Sequence, residues 1–410
     1  DIFTFWLPLS PRTAFEGIRE LPPAHYMRIT SGESRIHRYW ELTLESDPEG
    51  MHTEEYYSGR LKELLADSTR LQLRADVPVG AYLSGGLDSS DTAVLARNIV
   101  GNNLNTFSVT FEDAEFDESG KQEVMSRFLG TGHRSVSCGD SDISAVFPDV
   151  IWHAEVPILR TAPAPLFLLS RLVRDSSFKV VLTGEGADEI LAGYDIFKEA
   201  KIRRFIEAAP GSGIRPLLLK RLYPYLRNSP TRSISYAKAF FASPTAPFGD
   251  GFYSHAPRWN MTSMGKTFFS ADLRSRMGEG TAAERVDRLL GSGKVGGEVD
   301  PLNRDQEIEI RTLLPGYILS SQGDRMLMAH SVEGRFPFLD HRVVEFCMKV
   351  PPRLRMKGLS EKYILRKSMS DLLPREMTKM VKQPYRAPDA RSFVGSGAGE
   401  YVENLLSSRS

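Results

Sequence analysis

The stretch Val79-Gly80-Ala81-Tyr82-Leu83-Ser84-Gly85-Gly86-Leu87-Asp88-Ser89-Ser90 constrains this chain more than any other, because an apolar run there stops abruptly in small residues and one carboxylate. It reads as a strand, an anion-holding loop and a helix that starts near Ser89. Gly85 and Gly86 lack a Cβ, so the backbone can take positive φ, lie directly against a ligand and converge its N–H groups. Ser84, Ser89 and Ser90 add hydroxyl donors, and the following helix points the positive end of its dipole at the same place. Such a loop suits an anion of phosphate size. Asp88 belongs among those donors chiefly when a hard divalent cation such as Mg2+ bridges it to phosphate oxygens.

The Gly-Lys-Ser/Thr ending of the kinase-type phosphate loop, with its lysine, is missing. The spelling Ser-Gly-Gly-Leu-Asp-Ser-Ser resembles instead the pyrophosphatase loop of ATP enzymes that cleave between the α and β phosphates. Taken alone it could also be an ordinary Gly/Ser turn after a strand, so its context decides.

A chain of 410 residues has room for two domains, or for one large core with additions. With 52 Lys and Arg against 52 Asp and Glu, it shows neither a nucleic-acid footprint nor a bias toward membrane surfaces. Cys138 and Cys347 are its only cysteines, which argues against a disulfide framework and fits a reducing cytosol. No apolar run reaches ~18 residues and no signal-peptide pattern opens the chain, so a soluble, cytoplasmic protein is expected.

Residues 1–42 alternate apolar segments (Phe3 to Leu9, Met27 to Ile29, Arg35 to Leu42) with breaks at Pro22-Pro23 and Ser31-Gly32, a strand and hairpin pattern. So few strands cannot bury both faces of a sheet, and the piece is expected to be the edge of something larger. Asp47 to Thr53 reads as a linker and Glu54 to Leu73 as a helix. Strands then alternate with helices: Val77 to Leu83, Asp91 to Val100, Asn105 to Phe111, Ser119 to Leu129, Arg134 to Val136. Helices near Ile143 to Trp152 and Leu166 to Asp175 lead to a strand at Lys179 to Leu182. This alternation predicts an α/β fold with a parallel sheet, right-handed crossovers and a ligand site at the carboxyl ends of the strands. Residues 200–300 carry no motif and are expected to be a largely helical insertion with a mobile loop around Gly291 to Gly297. Helical periodicity returns from Leu302 to His330.

The strand at Lys179 runs into Thr183-Gly184-Glu185-Gly186-Ala187-Asp188-Glu189, which repeats the first design of strand, paired glycines and carboxylates. Crowded carboxylates repel unless a cation or a cationic substrate offsets them. Asp188 is therefore expected to be a second Mg2+ ligand beside Asp88, with Glu185 facing the substrate. The alternative is a solvated acidic helix start that merely favours the dipole.

Two further segments, Glu333-Gly334-Arg335-Phe336-Pro337-Phe338-Leu339-Asp340 and Glu361-Lys362-Tyr363-Ile364-Leu365-Arg366, complete four separated signals in one order. Together they resemble the synthetase domain of glutamine-hydrolysing asparagine synthetase, a family shared with β-lactam synthetases and lasso-peptide cyclases. The likeness runs from about Glu54 to Asp389, within an expected domain 53–395. Residues 1–46, especially Phe5-Trp6, Glu20-Leu21-Pro22-Pro23 and Arg38-Tyr39-Trp40, resemble the end of that family's N-terminal glutaminase sandwich.

The resemblance implies an adenine nucleotide α-hydrolase-like fold and an ATP-dependent ligase. Ser84, Gly85, Gly86, Asp88, Ser89 and Ser90 would hold the pyrophosphate part of ATP, with Mg2+ on Asp88 and Asp188. Leu83, Val109, Thr183 and Gly184 would line the adenosine pocket. Glu185 would position the amine or serve as a base, and Lys362 would reach the reacting carboxyl and phosphate oxygens. On an exposed helix, Glu361-Lys362 would otherwise be unremarkable. The chemistry is coherent, since adenylation supplies the leaving group a carboxylate lacks and a cation stabilises the developing oxyanion.

Two departures bear on substrate. The family's glutaminase uses a cysteine at the mature N-terminus, whereas this chain opens with Asp1. Ammonia is accordingly expected from a glutaminase domain upstream or on a separate chain, or from free solution. Lys382-Gln383-Pro384-Tyr385-Arg386-Ala387-Pro388 stands where a Gly- or Phe-containing loop is expected, which opens the acceptor to acids other than aspartate. Partners are thus a small-molecule carboxylate and an ammonia source, with room for a homodimer. An intramolecular amide-forming cyclase and a non-catalytic nucleotide-binding subunit stay open as alternatives.

Overall fold

The computed structural model describes residues 1–226, 233, 235, 237, 241, 250–277, 281–290, 299–394 and 399–407. The loop expected around Gly291 to Gly297 lies outside them. The chain forms two compact units. The first comprises Asp1–Met51, Asp188–Pro315 and Cys347–Tyr363, and the second His52–Ala187, Gly316–Phe346 and Ile364–Ser410.

In the first unit, β1 (His25–Thr30) and β2 (Glu33–Arg38) form an antiparallel hairpin around Ser31-Gly32, in the register Thr30↔Glu33. Nearly every residue of both strands is exposed, including Tyr26, Met27, Ile29 and Ile36. The strand expected from Phe3 to Leu9 is not formed; Ile2–Phe5 makes one helical turn that ends at Trp6 with φ +70°. Among the described residues no strand pairs with this segment, and its apolar side chains bury against the helix Ala256–Ser263 instead. Phe5 meets Trp259 edge-on at 4.8 Å, and Thr262 Oγ1 donates to the Thr4 carbonyl at 2.6 Å. Among the described residues, the 200–300 region is helical as expected, with helices at Asp195–Glu207, Ala271–Arg276 and Ala282–Leu290.

The second unit is built on five parallel strands: β3 (Val79–Tyr82), β4 (Asn105–Phe111), β5 (Gly132–Cys138), β6 (Val180–Leu182) and β7 (Glu333–Arg335). Their order across the sheet is β5-β4-β3-β6-β7. The central strands are almost entirely buried, as in a sheet covered on both faces, with Thr106 and Ser108 of β4 the buried hydroxyls among apolar neighbours. The chain leaves β3 for β4 on one side, then returns through the helices Asp140–Ala154 and Pro163–Asp175 to pair β6 on the other. That reversal at β3 opens a crevice at the carboxyl ends of β3 and β6, where ligands bind in sheets of this kind.

Strand β7 is the element that pattern reading overlooked, because Glu-Gly-Arg is short and polar. Backbone bonds hold it at the edge: Glu333 N–H donates to Lys179 O at 2.8 Å and Thr183 N–H to Arg335 O at 2.9 Å. β5 is longer than the expected Arg134 to Val136. The helix after β3 begins at Leu87, earlier than expected, so Asp88, Ser89 and Ser90 all lie in its first turn. Among the described residues no helix is long and apolar enough to cross a membrane.

Candidate active site

Leu83 closes β3 with its N–H on the Phe107 carbonyl at 2.9 Å, and the loop turns immediately afterward. Gly85 supplies the turn at φ +78°, and a Cβ there would come within 2.7 Å of Lys121 Cβ, so no larger residue fits. The serines brace one another. Ser84 Oγ and Ser89 Oγ lie 2.9 Å apart, Gly86 N–H donates to Ser84 Oγ at 3.2 Å, and Ser90 Oγ donates to Gly86 O at 2.7 Å. The helix Leu87–Val100 has glycine at its N-cap, so no capping side chain covers its first turn. Its N–H groups and dipole are thereby presented to whatever anion the loop holds.

The loop after β6 runs alongside. At Gly184 a Cβ would stand 2.9 Å from Asp88 Cβ and 3.0 Å from Ser89 N, so this glycine is the condition for the two loops to touch. Thr183 is buried, and its hydroxyl bonds the Glu185 carboxylate. Burial raises the Glu185 carboxyl to about 7, with Lys382 pulling it down and Asp88 and Asp324 pushing it up. Lys382 Nζ lies 3.5 Å from Asp88 Oδ2. Val109 sits on β4 with its side chain in the core among Phe107 and Phe111, while its carbonyl accepts from Gln122 Nε2 at 2.9 Å.

Asp188 and Lys362 belong to the first unit, whereas Asp88 and Glu185 belong to the second. Lys362 is not on an exposed helix: it is 1 % exposed, and its Nζ meets Asp188 Oδ1 at 2.6 Å. Its backbone has φ +51°, a left-handed conformation that costs a non-glycine residue energy. The neighbouring Glu361 carboxylate is also buried, paired with Lys198 at 2.9 Å; Lys198 reaches Asp195 at 3.3 Å, and Tyr225 donates to Asp195 at 2.5 Å. Glu189 accepts from Tyr194 at 2.7 Å, and burial with the Asp188 charge beside it lifts its carboxyl to about 8.

Sequence reasoning reached the loops but missed Lys198, Lys382 and Gly193. Nothing in the sequence around Lys198 singles it out, and Lys382 drew attention only through its segment. Neither cysteine is a nucleophile of this site. Both are free and buried, and burial pushes each thiol up to about 12.

Comparisons with known proteins identify the chain's relatives. The chain is 28% identical over 425 residues to Amidase chry2 of Gibberella zeae, covering 94% of this chain and 60% of that protein. It is also 28% identical to two Bacillus subtilis proteins, asparagine synthetase (glutamine-hydrolyzing) 1 and 3, covering 84% and 100% of this chain and 52% and 61% of theirs. It thus spans roughly 52–61% of the length of these relatives. The solved NMN synthetase of Francisella tularensis, 12% identical with a TM-score of 0.26 over 56% of this chain and 99% of its own, is too distant to argue from. The asparagine synthase family model matches residues 60–410, from the helix before β3 onward, and the chain belongs to the asparagine synthase family.

Proposed function

We propose that this chain is an ATP-dependent amide ligase: a small carboxylic acid and ATP give an acyl adenylate and pyrophosphate, and ammonia then displaces AMP. The observation that carries the reading is the contact of the two loops at Gly184 and Asp88, beside a helix start with no capping side chain. In this reading Ser84, Gly85, Gly86, Ser89 and Ser90 bind the phosphates, and Leu83, Val109, Thr183 and Gly184 border the adenosine. Lys362 stabilises charge on the reacting carboxyl oxygen. Glu185 takes a proton from the incoming amine, a task for which a carboxyl near 7 is suited.

Asp88 and Asp188 are the proposed Mg2+ ligands. Among the described residues no three His, Cys, Asp or Glu side chains gather as a metal cage. Mg2+ is commonly held by one or two carboxylates together with phosphate oxygens and water. Bound there, Mg2+ would offset phosphate charge and orient the nucleotide.

Ammonia is proposed to come from glutamine through a glutaminase outside the given sequence. The bare faces of the β1–β2 hairpin, with Tyr26, Met27, Ile29 and Ile36 exposed, support a β-rich neighbour at that place. Aspartate is the first acceptor to test. The relatives' names include both amidases and asparagine synthetases, so the acid is best found by assay. Pyrophosphate release is measured with ATP, Mg2+ and ammonium across a panel of carboxylic acids. Acid-dependent release with an amide product is the expected result. No release with any acid, by a protein that binds ATP, would favour a non-catalytic subunit, and a product lighter by one water would favour ring closure.

A further inference from the structure

Arg355 ends the short helix Pro352–Arg355 in the first unit and is completely buried. Among the described residues its guanidinium pairs with no carboxylate. Neutral acceptors hold it: Gln306 Oε1, Asn303 Oδ1, Ser46 Oγ at 3.2 Å and Met348 Sδ at 3.9 Å, while its Nε has no partner. Burial draws its pKa down to about 10, so it stays charged at neutral pH. A buried charge without a counter-ion is costly, and apolar residues of similar volume commonly serve stability as well or better. The charge is therefore to be explained by what it holds in place.

On one side it holds the Asp188–Lys362 pair. Gln306, buried on the helix Pro301–Arg311, accepts from Arg355 through Oε1 and donates through Nε2 to the Glu189 carbonyl at 2.6 Å. The Asp188 carbonyl just before it is held by the Gly193 N–H, so the backbone that carries the Asp188 carboxylate is pinned at two successive peptides. Along its own chain, Arg355 leads through Met356, which is buried against Ala192 and Phe197, and through the Lys357–Ser360 turn to Lys362. One guanidinium thus sets the reference for both members of the pair. On the other side it holds the stretch that leaves the hairpin. Asn303 Nδ2 donates to the Leu44 carbonyl at 2.5 Å, Ser46 Oγ donates to the Met348 carbonyl at 2.9 Å, and Asp47 N–H donates to the Lys349 carbonyl at 2.8 Å. Resting on the ligase reading above, we propose that Arg355 and Gln306 are positioning residues that tie residues 44–47 to the Asp188–Lys362 pair, so that the seating of this stretch sets the rate of amide formation.

The decisive variant is Gln306→Glu. It gives the guanidinium the counter-ion it lacks, yet beside Arg355 the new carboxylate is ionised and has no proton to donate to the Glu189 carbonyl. A merely structural Gln306 predicts equal or greater stability and unchanged turnover. The proposal predicts a melting temperature close to that of the unchanged protein, kcat for pyrophosphate release at least about tenfold lower, and KM for ATP within about twofold. Arg355→Met alone and combined with Gln306→Leu should lose the same kcat to within about twofold, because both break one chain of contacts. Ser46→Ala, at the far end of that chain, should lower kcat by about threefold. A kcat within about twofold in Gln306→Glu, losses that multiply in the double variant, or full turnover in Ser46→Ala would each overturn the proposal. Should Gln306→Glu not fold, Gln306→Met is judged by the same kcat and KM. No pyrophosphate release by the unchanged protein with any acid would overturn the ligase reading itself, which separates the two failures.

Discussion

Lys362 Nζ and Asp188 Oδ1 meet at 2.6 Å only because residue 193 is glycine. A Cβ built at Gly193 would overlap both Asp188 Oδ1 and Lys362 Cε. The Gly193 N–H also holds the Asp188 carbonyl at 2.8 Å, so backbone and side chain of Asp188 are referenced to the same residue. Gly193→Ala must push the ammonium and carboxylate apart. If Lys362 and Asp188 act as proposed, amide formation should fall by about a hundredfold or more, in line with the sensitivity of catalysis to displacements near 1 Å. Pyrophosphate-release assays at saturating ATP check this; activity within a few-fold of the unchanged protein would remove the pair from the mechanism.

Lys198 should act through Lys362 without touching substrate. It pairs with the buried Glu361, whose neighbour Lys362 is held at φ +51° after the tight turn Lys357–Ser360. Replacing one member of a buried ion pair leaves the other uncompensated, at a cost of about 3–5 kcal/mol. Lys198→Met is therefore expected to lower the melting temperature and to reduce kcat, with KM for ATP nearly unchanged. The double variant Lys198→Met with Glu361→Gln should regain stability but not full kcat. Recovery of both would make the pair structural only.

Much of the fold and part of the site were legible in the sequence. Asn105 to Phe111 and Ser119 to Leu129 are found as a strand and a helix with the expected bounds, because their periodicity and turn residues agree locally. The loops at Ser84 and Thr183 were legible because the same design, a strand ending in paired glycines and a carboxylate, recurs at two places in the chain. The segment Phe3 to Leu9 misled, since its alternation satisfies helix packing against Trp259 as well as strand pairing. β7 was hidden because its place depends on β6, not on its own residues. Lys198, Gly193 and Lys382 were invisible for a related reason: each matters through a partner distant in sequence or through the absence of a side chain.

The rate of amide formation should depend on Glu185 with a midpoint near pH 7. Burial is the largest influence on this carboxyl, and it favours the neutral form. A base must be deprotonated, so the rate should rise with pH through about 7 and level off above it. Lys382 favours the charged form, and Lys382→Met should therefore move the midpoint upward. Glu185→Gln should abolish the rise along with most of the rate. A flat profile between pH 5.5 and 8.5 (roughly the span over which a group near 7 titrates) would show that Glu185 is not the base.

The contribution of Glu199 to folding stability should fall as pH rises from acid toward about 8. Glu199 is buried in the first unit, and burial with the Asp195 charge raises its carboxyl from 4.5 to about 8, against the pull of Arg203 and Arg258. Between those two values the folded chain holds a proton that the unfolded chain has released. The sign follows: stability is greatest below the unfolded value and declines as pH climbs through the window, by up to about 1.4 kcal/mol per pH unit for each such group. Glu189, raised to about 8 by burial and Asp188, adds to the same slope. Glu309, held at about 2 by Arg258 and His255 despite its burial, acts in the opposite sense only below 4.5. Urea unfolding from pH 5 to 8.5 measures the slope. Glu199→Gln, which mimics the protonated side chain, should flatten it and leave the variant relatively more stable at the alkaline end. An unchanged slope would mean that Glu199 is ionised in the folded protein and that its guanidinium neighbours outweigh its burial.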